Sequence, residues 1–281
     1  MPFRTPARAT VRTTTHRRAT RAVRAAAVAA LAAALGATAM SGSASAIVNG
    51  RDSTERYPFM ATLPLSAEQL PDGACGATLI DRQWVLTAAH CVVGVTLKGT
   101  VRIGSAHRDS GGTVRDVDRV VVHPGFGFGD ATRPNHDDLA LVRLDRPAAG
   151  QPVRIAEHPG TPGTPTRLLG FGTVVDTSDY QQMVFPERLQ ELPSRIGAPA
   201  DCAPGYADPT RLCTLSRIPR AMACFGDSGG PQIQRGRGGR WELVGTTSGP
   251  GAPGVPCAGG PGLYTDVPAY APWIRATIAA G

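Results

Sequence analysis

Acidic residues are absent from the first 46 positions of the chain, and this absence accounts for its positive charge. The 281-residue sequence has 29 lysines and arginines against 22 aspartates and glutamates, a formal net charge of +7. Seven of the basic residues precede position 47, namely Arg4, Arg8, Arg12, Arg17, Arg18, Arg21 and Arg24. Without them the remainder has 22 basic residues, which balance its 22 acidic ones. We therefore expect neither nucleic acid nor a membrane surface as a partner of the remaining chain.

A hydrophobic run long enough to predict a transmembrane helix is also lacking. The apolar stretch AAAVAALAAALGATA, residues 25–39, follows the arginines, and small-x-small sites end at Ala39 and Ala46. This pattern is typical of a secretory signal peptide, so we expect an extracellular protein. One cut after Ala46 would remove the whole leader. A cut after Ala39 would instead leave residues 40–46 as a short propeptide. The pair Arg17-Arg18 keeps twin-arginine export open.

Cysteine spacings typical of zinc sites are missing, and no histidine pair lies close to a cysteine pair. An even number of cysteines in an exported chain favours disulfides over metal ligands. We therefore expect neither a metal ion nor a cofactor. All six cysteines follow the leader: Cys75, Cys91, Cys202, Cys213, Cys224 and Cys257.

Internal repeats are not visible, and patterns of long helices are scarce. Short apolar runs such as QWVLTA, LALVRL and ELVGTTS are separated by turn signals, to which 34 glycines and 25 prolines contribute. They predict many short strands and an all-β architecture of two barrels. A linker at residues 156–167 would divide the barrels at about 47–158 and 159–281. Trp273, Ile274 and Ile278 form an apolar stripe that predicts a C-terminal helix.

The stretch ACFGDSGGP, residues 223–231, surrounds Ser228 with very small side chains. Such a stretch is often only a turn, but it also suits a nucleophile whose neighbouring amides approach a substrate closely. A nucleophilic serine needs a base, and the base needs an orienting acid. His90, at the end of WVLTAAH, is the candidate base. Asp138, at the head of the strand DLALVRL, is the candidate acid, and Asp137 is the weaker alternative.

These motifs resemble those of the chymotrypsin-like serine proteases. The resemblance covers Ile47 to the C terminus and rests on IVNG, LTAAHC, DLALVRL, GFG and GDSGGP in that order. It implies two antiparallel six-stranded β-barrels with the active site between them. It also implies a monomeric, secreted endopeptidase of the bacterial type that acts on polypeptides and can bind protein inhibitors.

The resemblance also implies a role for each residue of the site. Ser228 would be the nucleophile, His90 the general base and then acid, and Asp138 the residue that orients the imidazole. The N–H groups of Gly226 and Ser228 would form the oxyanion hole. After cleavage, the terminal ammonium of Ile47 would pair with Asp227. The implied disulfides are Cys75–Cys91, Cys202–Cys213 and Cys224–Cys257.

Specificity is implied by the residues that match the family's primary pocket. Met222, six positions before the nucleophile, matches the floor, where trypsin-like members have aspartate. The other matching positions are Ala223, Ser248 and Gly262, and none of them brings a charge. We therefore expect cleavage after apolar or aromatic residues. The sequence departs from the family at Gly249-Pro250, where an aromatic residue and a glycine are usual. The loop at residues 104–116 lacks the paired glutamates that hold calcium in some relatives.

Two other classes of function would require different features of the sequence. A catalytically silent relative would act as a binding protein, but such relatives generally lack a residue of the triad, and all three are present here. An esterase with a Gly-x-Ser-x-Gly elbow would have serine first in chain order. Here His90 and Asp138 precede Ser228, so the order argues against that fold.

Overall fold

The computed structural model describes residues 1–3, 47–66 and 73–281. The chain divides into two compact units, residues 1–42 and 43–281, and the strands and helix given below belong to the second. The expected signal peptide and propeptide lie outside the described residues, apart from residues 1–3. In the part of the chain that the structure describes, no helix is both long and apolar enough to cross a bilayer.

The first half of this unit forms a closed, antiparallel barrel of six strands. The strands of this half are β1 (Arg51–Asp52), β2 (Met60–Pro64), β3 (Ala74–Asp81), β4 (Trp84–Thr87), β5 (Thr100–Ile103), β6 (Thr113–Val122) and β7 (Ala140–Leu144). The barrel closes in the order β2-β3-β4-β7-β6-β5. Strand β4 is buried throughout, whereas β6 alternates between half-buried and exposed side chains along most of its length. This alternation is expected where one face of a strand meets solvent.

The second half forms another ring of six antiparallel strands. The strands that follow β7 are β8 (Arg154–Ile155), β9 (Pro165–Gly170), β10 (Gln190–Ile196), β11 (Arg211–Ser216), β12 (Pro231–Arg235), β13 (Trp241–Pro250) and β14 (Gly262–Asp266), and the last six of them form the ring. The ring runs β9-β10-β11-β14-β13-β12 and returns to β9. The all-β, two-barrel architecture expected from the sequence is confirmed.

Two short strands of the first half pair with the second sheet. β1 pairs antiparallel with β10, and β8 pairs parallel with β13. Both strands precede the expected boundary at residue 158, so the first half contributes to the second sheet at two places. One apolar core also spans both barrels, because Leu86 and Leu141 belong to the same buried cluster as Phe171 and Leu243. This shared core fixes the position of one barrel against the other.

The chain ends in the expected helix. A 3-10 turn, Val267–Tyr270, leads into α1 (Ala271–Ala279). Ile274 is buried in the main core, and Trp273 and Ile278 pack against it. The apolar stripe seen in the sequence is therefore the face that covers the barrels.

The three disulfides implied by the resemblance are present: Cys75–Cys91, Cys202–Cys213 and Cys224–Cys257. The first joins β3 to the 3-10 turn that carries His90. The third closes a loop that begins four residues before Ser228. Two of the bridges therefore restrain the backbone on either side of the candidate site.

Candidate active site

His90 and Asp138 meet at the end of the first barrel. His90 lies in the 3-10 turn after β4, and Asp138 lies two residues before β7, the strand that pairs with β4. The His90 Nδ1–H donates to Asp138 Oδ2 at 2.7 Å, and the His90 backbone N–H donates to Asp138 Oδ1 at 3.0 Å. Since an ionised carboxylate only accepts hydrogen bonds, this contact places the free lone pair of the imidazole on Nε2.

Asp138 is held ionised although it is 1% exposed. Burial alone would raise its pKa. The hydrogen bonds and charge of His90, together with the hydroxyl of Ser248, hold the pKa of Asp138 below its usual value. Ser248 Oγ donates to Asp138 Oδ2 at 2.6 Å. The weaker candidate Asp137 lies outside this arrangement, since its Oδ1 accepts from the Tyr270 hydroxyl at 2.7 Å.

Backbone hydrogen bonds hold Ser228 in a tight turn after Cys224. The Asp227 N–H donates to Cys224 O at 3.0 Å. Among the described residues, neither the Gly226 nor the Ser228 N–H donates a backbone hydrogen bond. The Ser228 carbonyl accepts from Gly76 N–H in β3 at 2.7 Å. The two predicted oxyanion donors are therefore free to bind another acceptor, and the serine is tied to the first barrel.

Close backbone approach explains why glycines surround Ser228. Gly229 has φ +78°, and a Cβ there would overlap the Thr87 hydroxyl and the Gly76 carbonyl. A Cβ at Gly76 would come within 2.6 Å of Gly230 Cα. These contacts leave no space for a side chain between β3 and the serine loop, so glycine is required at these positions.

Asp227 lies completely buried beneath the serine loop. Its Oδ1 accepts from Gly172 N–H at 2.8 Å and its Oδ2 from Cys224 N–H at 2.9 Å. A Cβ at Gly170 or Gly172 would overlap this carboxylate, so the motif GFG forms the cradle that holds it. Burial raises the pKa of Asp227 to about 7, although the two backbone hydrogen bonds oppose the rise. No ion pair with Asp227 occurs among the described residues.

Ile47 is fully buried in the second half of the unit. It packs in an apolar cluster that includes Leu168, Leu192 and Met222. The next residue, Val48, forms a bridge with Met222, whose N–H donates to the Val48 carbonyl at 3.2 Å. The start of the motif IVNG is thus docked against the segment that leads to the nucleophile.

A cleft of about 670 Å³ joins His90 and Ser228 to the predicted pocket residues. Its lining includes Met222, Ala223, Ser248 and Gly262, together with Gly249 and Pro250. Met222 is 2% exposed, and a Cβ at Gly262 would come within 2.9 Å of its sulfur. The end of the cleft at Met222, which we call its lower end, is therefore narrow and uncharged. Gly249 has open space where a Cβ would lie, which leaves that wall thin.

Sequence reasoning missed several residues around the cleft. Phe128, Tyr180 and Phe225 line it and are exposed, and Tyr180 and Phe225 meet edge to face with centroids 6.1 Å apart. Asn135 reaches Asp138 with its side-chain amide. The only available signal for Asn135 was its place in NHDDLAL, three residues before Asp138, and no local pattern predicts where that side chain reaches.

Three side chains near the cleft have closely spaced donor atoms but do not form a metal site. Potential ligand atoms of Asp176, Cys224 and Cys257 lie within 4.8 Å of one another. Since the two sulfurs form a disulfide, neither is available as a thiolate ligand.

Comparison with known proteins gives one consistent result. The family model described as trypsin matches residues 47–274. Human kallikrein-5 is 34% identical over 253 residues, with 85% of this chain and 78% of the relative covered. A CLIP domain-containing serine protease B4 from Anopheles gambiae is 29% identical over 264 residues, covering 80% of this chain and 68% of the relative.

A solved structure agrees with these sequence matches. Neuropsin, a serine protease of mouse brain, superposes with a TM-score of 0.67 at 28% identity, covering 83% of this chain and all of the other. The relatives described here come from human, mosquito and mouse, so the comparisons do not support the expected bacterial-type subgroup. The fold, the geometry and the match over residues 47–274 identify the chain as a member of the trypsin family, whose members are serine endopeptidases.

Proposed function

We propose that this serine endopeptidase hydrolyses peptide bonds through Ser228, His90 and Asp138. The observation that carries the proposal is the 2.7 Å contact between His90 Nδ1 and Asp138, in a cleft that also contains Ser228. Ser228 Oγ attacks the scissile carbonyl carbon and passes its proton to His90 Nε2. The imidazolium then protonates the leaving amine, and an acyl-enzyme forms. A water molecule repeats these steps to release the acid and restore Ser228.

Asp138 contributes by orienting and stabilising the imidazolium. Its two oxygens bind the backbone and the side chain of His90, so the ring is held in one tautomer and one orientation. The free N–H groups of Gly226 and Ser228 support the proposed oxyanion hole. Loss of one such donor typically lowers turnover by about 10²–10³-fold.

The uncharged lower end of the cleft supports cleavage after apolar or aromatic residues. Met222 closes this end, and none of Ala223, Ser248 and Gly262 carries a charge. A lysine or arginine side chain would be buried there without a counter-ion, which costs about 3–5 kcal/mol. The thin wall at Gly249 leaves room for a broad apolar side chain beside the floor.

Ile47 and Asp227 are the residues of a proposed activation step. We propose that removal of residues 1–46, either by one cut after Ala46 or by a cut after Ala39 followed by a second one, frees the Ile47 ammonium, which pairs with Asp227 and orders the oxyanion loop. Two observations support this step. Asp227 is buried without an ion-pair partner among the described residues, and Ile47 is already buried beside Met222. A carboxylate that is buried without a counter-ion is energetically costly, so pairing with a cation stabilises the folded protein.

The experiment that tests the proposal compares Ser228→Ala with Ser216→Ala. Ser216 is a matched control because its hydroxyl donates to the Ile218 carbonyl and accepts from the Ile218 N–H, away from His90 and Asp138. We expect the unchanged protein and the control to hydrolyse an apolar peptide substrate and to react covalently with diisopropyl fluorophosphate. Ser228→Ala should do neither while keeping its circular dichroism spectrum. Near-normal turnover by a folded Ser228→Ala variant would refute the assignment.

A further inference from the structure

Asn135 makes a polar contact with the candidate site that the roles above do not use. Its Nδ2 donates to Asp138 Oδ2 at 3.2 Å and lies 3.5 Å from His90 Nδ1. Its Oδ1 accepts from the Gly129 N–H at 2.9 Å. Because the oxygen faces a donor and the nitrogen faces a carboxylate, the hydrogen-bond partners determine the orientation of the amide.

The loop that carries Asn135 is held in place on both sides. Gly127 and His136 exchange backbone hydrogen bonds of 3.2 and 3.1 Å across it. Arg211 in β11 donates to the Asn135 carbonyl at 3.3 Å and is itself paired with Asp208 at 2.7 Å. The position of Asn135 is therefore determined by contacts to both barrels, and its amide is presented to Asp138 by a braced loop.

Three donors consequently converge on one carboxylate oxygen. Asp138 Oδ2 accepts from His90 Nδ1, from Ser248 Oγ and from Asn135 Nδ2. Every donor to a carboxylate stabilises its negative charge and reduces its tendency to take a proton. The hydroxyl of Ser248 and the amide of Asn135 therefore bind the same oxygen that accepts from the His90 ring.

Other titratable groups around the pair lie farther out and contact one another. Asp137 and His136 belong to the same loop, with Asp137 Oδ2 3.4 Å from His136 Nδ1. His123, at the end of β6, has its Nδ1 3.9 Å from Asp137 Oδ1. From the second half, Arg211 binds the Asn135 carbonyl and pairs with Asp208, and the Tyr270 hydroxyl donates to Asp137 Oδ1.

We propose that Asn135 is a positioning residue. Its amide hydrogen bond stabilises the negative charge of Asp138, so that Asp138 stabilises a protonated His90 less strongly, and His90 works as a base down to a lower pH. This inference rests on the proposed roles of His90 and Asp138. Asn135 also lines the cleft, but the inference concerns its effect through Asp138, not a contact with substrate.

Two nearly isosteric substitutions test the inference. Asn135→Asp keeps an acceptor for Gly129 but replaces the donor by a negative charge. Asn135→Leu removes the donor and leaves little space for a replacing water. Thr132→Ala is the control, since Thr132 belongs to the same loop and bonds Asp130 instead of the catalytic pair.

The first measurement is the acid limb of the kcat/KM profile, which reports the free enzyme. We expect the apparent pKa of that limb to rise by about half a unit in Asn135→Leu and by about one unit or more in Asn135→Asp. Thr132→Ala should leave it unchanged. A change in KM alone, with the same acid limb in both variants, would overturn the inference and leave Asn135 as a residue that only shapes the cleft.

A second measurement does not depend on catalysis. The His90 ring can be titrated by NMR in the Ser228→Ala background, alone and combined with each Asn135 substitution. We expect the His90 pKa to be lowest with Asn135, higher in Asn135→Leu and highest in Asn135→Asp. Equal His90 pKa values in all three proteins would refute the inference. Failure of the proposed function would appear differently, as shifted His90 titrations in a protein that hydrolyses no peptide.

Discussion

The buried carboxylate of Asp227 leads to an unusual prediction about stability. In a form that begins at Met40, Ile47 is joined to Ala46 through a peptide bond and has no ammonium to offer. Asp227 then keeps the environment described above, in which its pKa rises from 3.8 to about 7. A rise of about three units corresponds to about 4 kcal/mol of differential stability between the two protonation states.

The direction of the effect follows from proton binding. Between pH 4 and pH 7 the unfolded chain has released the proton of Asp227, whereas the folded chain retains it. Stability therefore falls by up to about 4 kcal/mol as pH rises through this range, and this contribution is flat above it. Asn at this position cannot ionise, but its amide nitrogen would face a backbone N–H where the carboxylate has an acceptor oxygen. This lost hydrogen bond costs stability at every pH, whereas the penalty for ionising Asp227 applies only at high pH. We therefore expect Asp227→Asn to destabilise the Met40 form at pH 4 and to be more favourable at pH 8 by up to about 4 kcal/mol.

The form that begins at Ile47 should behave in the opposite way. Its ammonium pairs with Asp227, which raises the ammonium pKa above its free value of about 8. The stability from that pair is fully present below the free value and is lost as pH rises through the raised one. Asp227→Asn would leave a buried ammonium without its counter-ion, so it should destabilise this form at pH 7 by about 3–5 kcal/mol.

Urea unfolding of both forms provides the assay, with circular dichroism as the signal and the disulfides intact. All proteins carry Ser228→Ala so that they do not digest themselves. Asp118→Asn is the control, because Asp118 is exposed and pairs with Arg143 at the surface. The reasoning is refuted if Asp227→Asn destabilises the Met40 form at pH 8 as strongly as it destabilises the Ile47 form.

Three further predictions follow from the site. A peptide-library profile should show cleavage after Leu, Phe, Tyr or Met that is about two to three decades more efficient than cleavage after Lys or Arg. A preference for Lys or Arg would exclude Met222 as the uncharged floor of the pocket. Gly229→Ala should lower the free energy of unfolding in the same urea assay by about 3 kcal/mol or more, because the new methyl group overlaps backbone. The control is Gly254→Ala, at a position with φ +66° and open space around a Cβ, which should lower it by only about 1–2 kcal/mol. N-terminal sequencing of active protein should give Ile47, and a fully active species that begins at Met40 would contradict the activation mechanism.

Local signals in the sequence determined the elements of this fold. Short apolar runs between glycines and prolines predicted the strands, because alternation and turn chemistry act over a few residues. The stripe of Trp273, Ile274 and Ile278 predicted the C-terminal helix for the same reason. Motif spacing also indicated which serine, histidine and aspartate to consider, and the structure shows the hydrogen bond expected between His90 and Asp138.

Contacts between distant parts of the chain were decided only by the tertiary structure. No local pattern shows that β1 and β8 pair with the second sheet, or that Gly170 and Gly172 form a cradle for Asp227. The contact from Asn135 to Asp138 spans only three residues, yet it depends on a loop braced by Arg211 from the other barrel. Such contacts arise when the two barrels close around a shared core, because that closure determines which backbones approach and which side chains meet.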